Sequence, residues 1–236
     1  MRSKKQKSIF IKTWRGRIVY WKSNCPRNNP IKTEIIAADL PNAIQRALDV
    51  LQVGGLVAFP TDTVYGVGAL AFNGKAVEAI YTAKDRPIEK AIPVLIGDSQ
   101  DIAKTASEVP VIARKLAERF WPGPLTIIVP KHSDLPDSVS ATNTVGVRVP
   151  DHIAARRLLS AAGPMAVTSA NISGQPSPST AEEVFMQLNG RIALILDGGK
   201  TPGGVPSTVV DCTGTKPTII REGPISFQEI LTITRL

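Results

Sequence analysis

Four stretches of the 236-residue chain carry side chains able to do chemistry. In Phe59-Pro60-Thr61-Asp62-Thr63-Val64-Tyr65-Gly66, hydroxyls flank a carboxylate on a proline-started turn. They offer donors and acceptors to a small polar ligand, although the same residues also make an ordinary side-chain-capped turn. Lys84-Asp85-Arg86-Pro87 puts cations at a helix end, where they either satisfy its last carbonyls or clamp a triphosphate with Lys90. In such a clamp Arg supplies a planar fork and Lys a point charge. Val167-Thr168-Ser169-Ala170-Asn171-Ile172-Ser173-Gly174 runs on through Gln175 and the Pro176-Ser177-Pro178-Ser179 stretch as hydroxyls and amides on a glycine- and proline-fixed backbone. This suits recognition of an anion or a nucleobase by neutral donors, with phosphate expected at the helix that starts at Thr180; such clusters are also simply loops. The fourth stretch is Asp197-Gly198-Gly199, the Gly-rich connector to Ser207-Thr208-Val209-Val210-Asp211, and Arg221-Glu222-Gly223-Pro224. Its glycines let backbone approach a ligand or make a plain surface loop.

Familiar nucleophilic machinery is missing. The chain has no Gly-x-Ser-x-Gly elbow, no Walker A loop and no Gly-x-Gly-x-x-Gly turn. His132 and His152 read as surface or helix-start residues rather than general bases. With Cys25 and Cys212 as the only cysteines, neither a disulfide framework nor a cysteine zinc site is available, and the usage suits a reducing compartment. Chemistry here is therefore expected to rest on positioning and electrostatics, without a covalent intermediate.

The elements that would position these stretches alternate. Asp39 is placed to cap a helix through Ala43, Ile44, Ala47, Leu48 and Leu51, stopped by Gly54-Gly55. Strands are predicted at Leu56–Phe59, Ile92–Ile96, Leu125–Val129, Thr144–Val149, Met165–Thr168 and Ile192–Leu196, and helices over 74–83, 110–120, 152–162 and 180–188. Thr208–Asp211 and Thr218–Arg221 face each other across a Gly-Thr-Lys-Pro turn, and a short helix starts at Ser226. The pattern is α/β, and the late hairpin makes the sheet mixed.

Composition narrows the class. With 43% hydrophobic and 20% charged residues the chain can bury a sizeable core. Its apolar runs span about five residues against the roughly 20 a membrane helix needs, so no membrane partner is expected. The net charge of +8 is unevenly spread. Residues 1–32 hold 10 of the 28 Lys/Arg and none of the 20 Asp/Glu, so the other 204 residues carry 18 basic and 20 acidic side chains. A body at −2 does not look built to coat a phosphate backbone. The arm, 1–32, is read as a disordered tail before a domain over 33–236; Trp14, Tyr20 and Trp21 among its cations also fit a nucleic-acid contact, and its acid-free composition an organellar leader.

Eight stretches in order resemble the YrdC family, the threonylcarbamoyl-AMP synthases of tRNA modification: Phe59–Gly68, Lys84–Pro87, Trp121–Thr126, Val147–Pro150, Ser169–Gly174, Asp197–Gly199, Ser207–Asp211 and Arg221–Pro224. The resemblance covers about residues 36–230 and leaves the arm without a counterpart. It implies a twisted mixed sheet flanked by helices, with a large concave basic cleft. It also implies a nucleotidyltransferase that joins L-threonine, bicarbonate and ATP into L-threonylcarbamoyladenylate and releases pyrophosphate. ATP, with Mg²⁺ as its default escort, is then a substrate and no tightly bound cofactor or protein-built metal site is expected. A transferase complex is the implied partner, passing the group to adenosine 37 of tRNAs that read ANN codons. Contact with tRNA or other double-stranded RNA and a cytoplasmic location go with that role.

By the same resemblance, Lys84, Arg86, Ser169 and Asn171 form the catalytic set. Arg86, Lys90, Thr144, Asn171, Ser179 and Arg221 take ATP, and Thr63, Arg148, Ser169 and Ser207 take threonine. Asp85 stands where the family commonly has Gly, so its side chain is expected to point away from the phosphates, and Leu95 stands where some members carry a threonine-contacting His. The length fits the short, stand-alone class and lacks the zinc-finger and acylphosphatase segments of hydrogenase maturation proteins. A YciO-type paralogue and a non-enzymatic RNA-binding module are the alternatives.

Overall fold

The computed structural model describes residues 9–14, 17–22, 31–202 and 204–234. The chain divides into two units, Met1–Pro30 and Ile31–Leu236. In the first, β1 (Ile9–Trp14) and β2 (Arg17–Lys22) pair as an antiparallel hairpin, in register from Ile9 with Lys22 to Trp14 with Arg17. The sequence reading placed no element here, although Ile, Val, Phe, Tyr and Trp are good strand formers; residues 1–8, 15–16 and 23–30 of the arm, Cys25 included, lie outside the described residues.

The second unit runs β3 (Glu34–Ala37), α1 (Ala43–Gln52), β4 (Val57–Pro60), β5 (Tyr65–Leu70), α2 (Gly74–Lys84), β6 (Val94–Leu95), a 3-10 turn (Ser99–Lys104), α3 (Val111–Phe120), β7 (Leu125–Pro130), β8 (Thr144–Arg148), α4 (Ile153–Ala162), β9 (Met165–Ser169), α5 (Ala181–Leu188), β10 (Leu194–Asp197), β11 (Thr208–Asp211), β12 (Thr218–Arg221) and α6 (Phe227–Thr234). The strands form one ten-stranded sheet in the order β12-β11-β7-β8-β6-β9-β5-β4-β10-β3. It is mixed, as expected: β10 runs parallel to β3 and β4, while β5 is antiparallel to both β4 and β9. Three expectations shift. Asp39 does not cap α1; the cap position is Asn42, with no side-chain bond, because the chain makes a further turn first. β10 starts at Leu194, later than its apolar run, and the predicted Ile92–Ile96 strand shortens to Val94–Leu95.

Both faces of the sheet are packed, which is why the central strands read as unbroken apolar runs. Val57, Phe59, Met165, Val167, Leu194 and Leu196 meet α1 and α4 on one face, with Ala43, Ala47, Val50 and Leu51 at helical spacing opposite Leu158 and Leu159. The intervening Ala58, Ala166 and Ile195 join the larger core on the other face with α2, α3, α5 and α6. The face under α1 and α4 continues past them onto β6, β8, β7 and β11, where Leu95 pairs with Arg148 and Thr126 with Val209. That uncovered continuation is the floor of a cleft.

β5, which the sequence reading passed over as turn, is tied to its glycines. A Cβ at Gly68 would lie 2.7 Å from the Ala166 carbonyl oxygen and 2.8 Å from a Val167 methyl, so β9 can approach only a bare backbone. Gly68→Ala is expected to destabilise the protein by about 1–3 kcal/mol through overpacking. Urea denaturation of the two proteins checks this, and equal midpoints would show that β9 yields freely.

Candidate active site

The cleft is about 320 Å³, at the small end of the range for ligand sites. Of the predicted site residues, Thr63, Arg86, Arg148, Ser169, Ser207 and Arg221 line it, together with Thr61, Thr126, Ser140, Thr168 and Leu95. Its lining holds three arginines and no carboxylate among the described residues. Lys84, Lys90, Thr144, Asn171 and Ser179 are not in that lining.

Arg148, at the end of β8, is 5% exposed and anchored on three sides. Its Nε donates to the Gly123 carbonyl (2.9 Å), Nη1 to Thr63 Oγ1 (3.2 Å) and Nη2 to Asp62 Oδ1 (2.5 Å). Burial lowers its pKa, and Asp62 pushes back the other way. Thr63 Oγ1 also lies 3.0 Å from Thr61 Oγ1, so the turn after β4 presents linked hydroxyls to the arginine. Across the cleft, Ser207 Oγ sits 2.8 Å from Thr126 Oγ1 and 3.2 Å from Arg221 Nη2. Arg221 also donates to the Ser207 carbonyl from Nε (3.0 Å) and Nη2 (2.8 Å).

Arg86 lies just beyond α2 and donates from Nε to the Lys90 carbonyl (3.2 Å) and from Nη2 to that of Ala91 (3.0 Å). Burial lowers its pKa. Asp85, at φ 52° in the left-handed cap of α2, turns its carboxylate to Arg191 Nη1 (2.8 Å). The acid in the clamp is thereby engaged elsewhere. Lys84 takes a different place from the phosphate role expected of it. Its side chain is buried, and Nζ donates to the carbonyls of Ser169 and Asn171, bracing the loop from below. Burial, and then the charge of Arg86, push its pKa down to about 7. Asn171 Nδ2 donates to the Ile172 and Gln175 carbonyls (both 2.8 Å), while its Oδ1 is buried without a partner among the described residues.

The outer residues are tied differently. Thr144 Oγ1 reaches the cleft indirectly, through Thr142 Oγ1 (3.0 Å) and then Ser140 Oγ (3.0 Å). The start of α5, expected to take phosphate, is already occupied. Thr180 Oγ1 accepts from Glu183 N (3.3 Å), and Glu183 Oε2 accepts from Ser179 N (2.6 Å) and Oγ (3.2 Å), placing a negative charge at that end. Ser179 instead borders a separate open depression with Gln187 and Lys200. The Lys90 backbone carbonyl accepts from Arg86 and from Tyr81 Oη (3.3 Å). His152 caps α4, its Nδ1 accepting from Ala154 N, as a helix-start residue should.

Of the further lining residues, Thr61, Thr126 and Thr168 lie in stretches that the sequence reading quoted without giving those residues a role of their own, and Ser140 lies outside all of them. Hydroxyls on otherwise apolar strands were the available signal, but only the strand order shows which face they share.

Residues 49–223 match the family model Sua5_yciO_yrdC, whose description reads Telomere recombination. The chain belongs to this family. Sua5/YciO/YrdC relatives named threonylcarbamoyl-AMP synthase include proteins of Pyrococcus abyssi, 43% identical over 79% of this chain, and Bacillus subtilis, 44% identical over 79%. The chain spans 56% and 55% of their respective lengths. P. abyssi Sua5 complexed with L-threonine superposes with a TM-score of 0.78 at 41% identity, covering 86% of this chain and 59% of that one. E. coli YciO superposes at 0.75 with 28% identity, over 84% of this chain and 98% of its own. The ten-stranded, helix-flanked sheet is thus the Sua5/YciO fold. Among the described residues no helix is long and apolar enough to cross a membrane.

Proposed function

We propose that the protein makes L-threonylcarbamoyladenylate and pyrophosphate from L-threonine, bicarbonate and ATP, as a nucleotidyltransferase serving threonylcarbamoylation of adenosine 37 in ANN-reading tRNAs. A cytoplasmic setting and a tRNA-modifying transferase complex as recipient belong to the same reading. The observation that carries it is the convergence of Thr63, Arg86, Arg148, Ser169, Ser207 and Arg221, from six separate segments, on one cleft whose lining among the described residues holds no carboxylate. The L-threonine bound to P. abyssi Sua5 and the names of the curated relatives support the substrate.

In this reading Arg148 holds the threonine carboxylate, and Thr63 and Ser207 read the side-chain hydroxyl. The neutral amine attacks bicarbonate, water leaves, and the carbamate oxygen attacks the α-phosphorus with pyrophosphate departing. Arg86 and Arg221 offset the phosphate charge, and the rest of the rate comes from proximity. Among the described residues no group of three or more His, Cys, Asp or Glu side chains could hold a metal ion. In this reading Mg²⁺ enters on the triphosphate. Incubating the protein with labelled bicarbonate, ATP and threonine tests the reading: a labelled adenylate that requires all three substrates is expected, and its absence from folded protein rejects the synthase.

Two further outcomes follow. Arg86→Lys keeps the charge and loses the fork, so the ATP concentration for half-maximal rate should rise roughly ten- to a hundredfold with little change in stability; an unchanged ATP dependence removes Arg86 from the site. Deleting residues 1–30 should leave adenylate synthesis near that of the full chain, because the motifs that carry the resemblance all lie beyond them. A folded truncation without activity would place the arm in the active site.

A further inference from the structure

Asp62 sits behind the cleft wall, in contact with Arg148 but outside the cleft lining. Its Oδ1 accepts from Arg148 Nη2 at 2.5 Å and from the backbone N of Asp151 at 3.1 Å. Its Oδ2 is buried and has no hydrogen-bond partner among the described residues. The side chains of Arg148 and Asp62 are only 7% and 13% exposed, so water screens the pair little. Arg86 and Arg221 differ, their guanidinium groups resting on the carbonyls of Lys90, Ala91 and Ser207 and on a serine hydroxyl. Carbonyls orient a cation and leave its charge intact; a carboxylate cancels it.

The Arg148 end of the cleft therefore differs from Arg86 and Arg221 in its own charge balance, although the charge of Arg221 reaches both Arg148 and Arg86. Arg86 and Arg221 present uncompensated positive charge, which suits phosphate. At Arg148 the net charge of the ion pair is zero, and a free anion there meets the attraction of one group and the repulsion of the other. A zwitterionic amino acid is favoured instead, since its carboxylate can take the remaining guanidinium hydrogens and it adds no net charge to a pair that has none. We propose that Asp62 is a positioning and specificity-determining residue that fixes the Arg148 fork and neutralises it, so that this end accepts a zwitterion and rejects inorganic anions such as sulfate, phosphate or pyrophosphate. The inference rests on the assignment of Arg148 to the amino-acid carboxylate under Proposed function. It uses exclusion of the wrong ligand as well as attraction of the right one.

Sulfate is the probe. In the wild type it should compete with ATP and leave the threonine dependence unchanged. Asp62→Asn keeps an oxygen for Arg148 and Asp151 N while dropping the charge. In that variant sulfate should become competitive with threonine, raising its apparent KM by about tenfold at concentrations that do not move the wild type. Asp62→Glu should restore the wild-type pattern, which a purely structural tie would not require. Sulfate competing with threonine in the wild type overturns the proposal even if the Asn variant does not fold, and so does a folded Asn variant whose threonine KM ignores sulfate. If the wild type makes no labelled adenylate, the synthase reading fails separately, and calorimetric titration of both proteins with threonine and sulfate decides the role of Asp62 by the same criteria.

Discussion

Arg148→Ala should raise the threonine concentration for half-maximal adenylate synthesis by roughly a hundredfold or more, while the ATP dependence stays within a few-fold. The guanidinium is held by Gly123 on one side and by Asp62 and Thr63, of the turn after β4, on the other, so two segments of the chain fix its position. Truncation has a second effect. Among the described residues Asp62 would keep only the Asp151 N–H on Oδ1 and nothing on Oδ2, leaving a buried carboxylate almost bare. Breaking one side of a buried ion pair costs about 3–5 kcal/mol. Urea denaturation should therefore show a clear loss of stability, and the assay belongs well below the new midpoint. A variant that unfolds early but keeps its threonine dependence would make Arg148 a structural tie and take the amino acid elsewhere.

How far such a site can be read from sequence depends on which contacts are local. β4, β7 and β9 were legible because strands buried on both faces are simply apolar. β5 was not, since Tyr-Gly-Val-Gly reads as turn until β9 is known to press on its bare glycines. β3 is four half-buried residues whose place is set only by parallel pairing with β10, some 160 positions on. The same limit applies to the cleft. Motifs carried by resemblance located Arg86, Arg148, Ser207 and Arg221 on its walls. The ion pair behind Arg148 spans 86 residues and the brace from Lys84 spans 85 and 87, so both follow from strand order and from no local pattern. Asp85 shows a third case: its departure from glycine could be seen in sequence, while its compensation by Arg191 could not.

That brace sets up the other large effect. Lys84→Met fills a similar volume but removes the donors to the Ser169 and Asn171 carbonyls, each of which would cost about 1–3 kcal/mol if left buried and unpaired. The loop they belong to carries Ser169 into the cleft, and a displacement of about 1 Å in a positioning group can cost on the order of a hundredfold in rate. The turnover number should fall by that order, with ATP and threonine affinities moving much less. The pH dependence separates this from ordinary damage. Burial pushes the Lys84 pKa from 10.5 in the unfolded chain down to about 7 in the folded one. Between those values the unfolded chain binds the extra proton, so stability must rise with pH across the window and flatten below about 7, where both states hold it. A neutral amine still has hydrogens for both carbonyls, so the brace survives deprotonation with weaker, uncharged bonds. Denaturation at pH 7 and pH 9 should show the wild type gaining stability relative to Lys84→Met. Parallel curves for the two proteins would mean that Lys84 stays charged in the fold, and that its bonds to the loop are those of a buried ammonium.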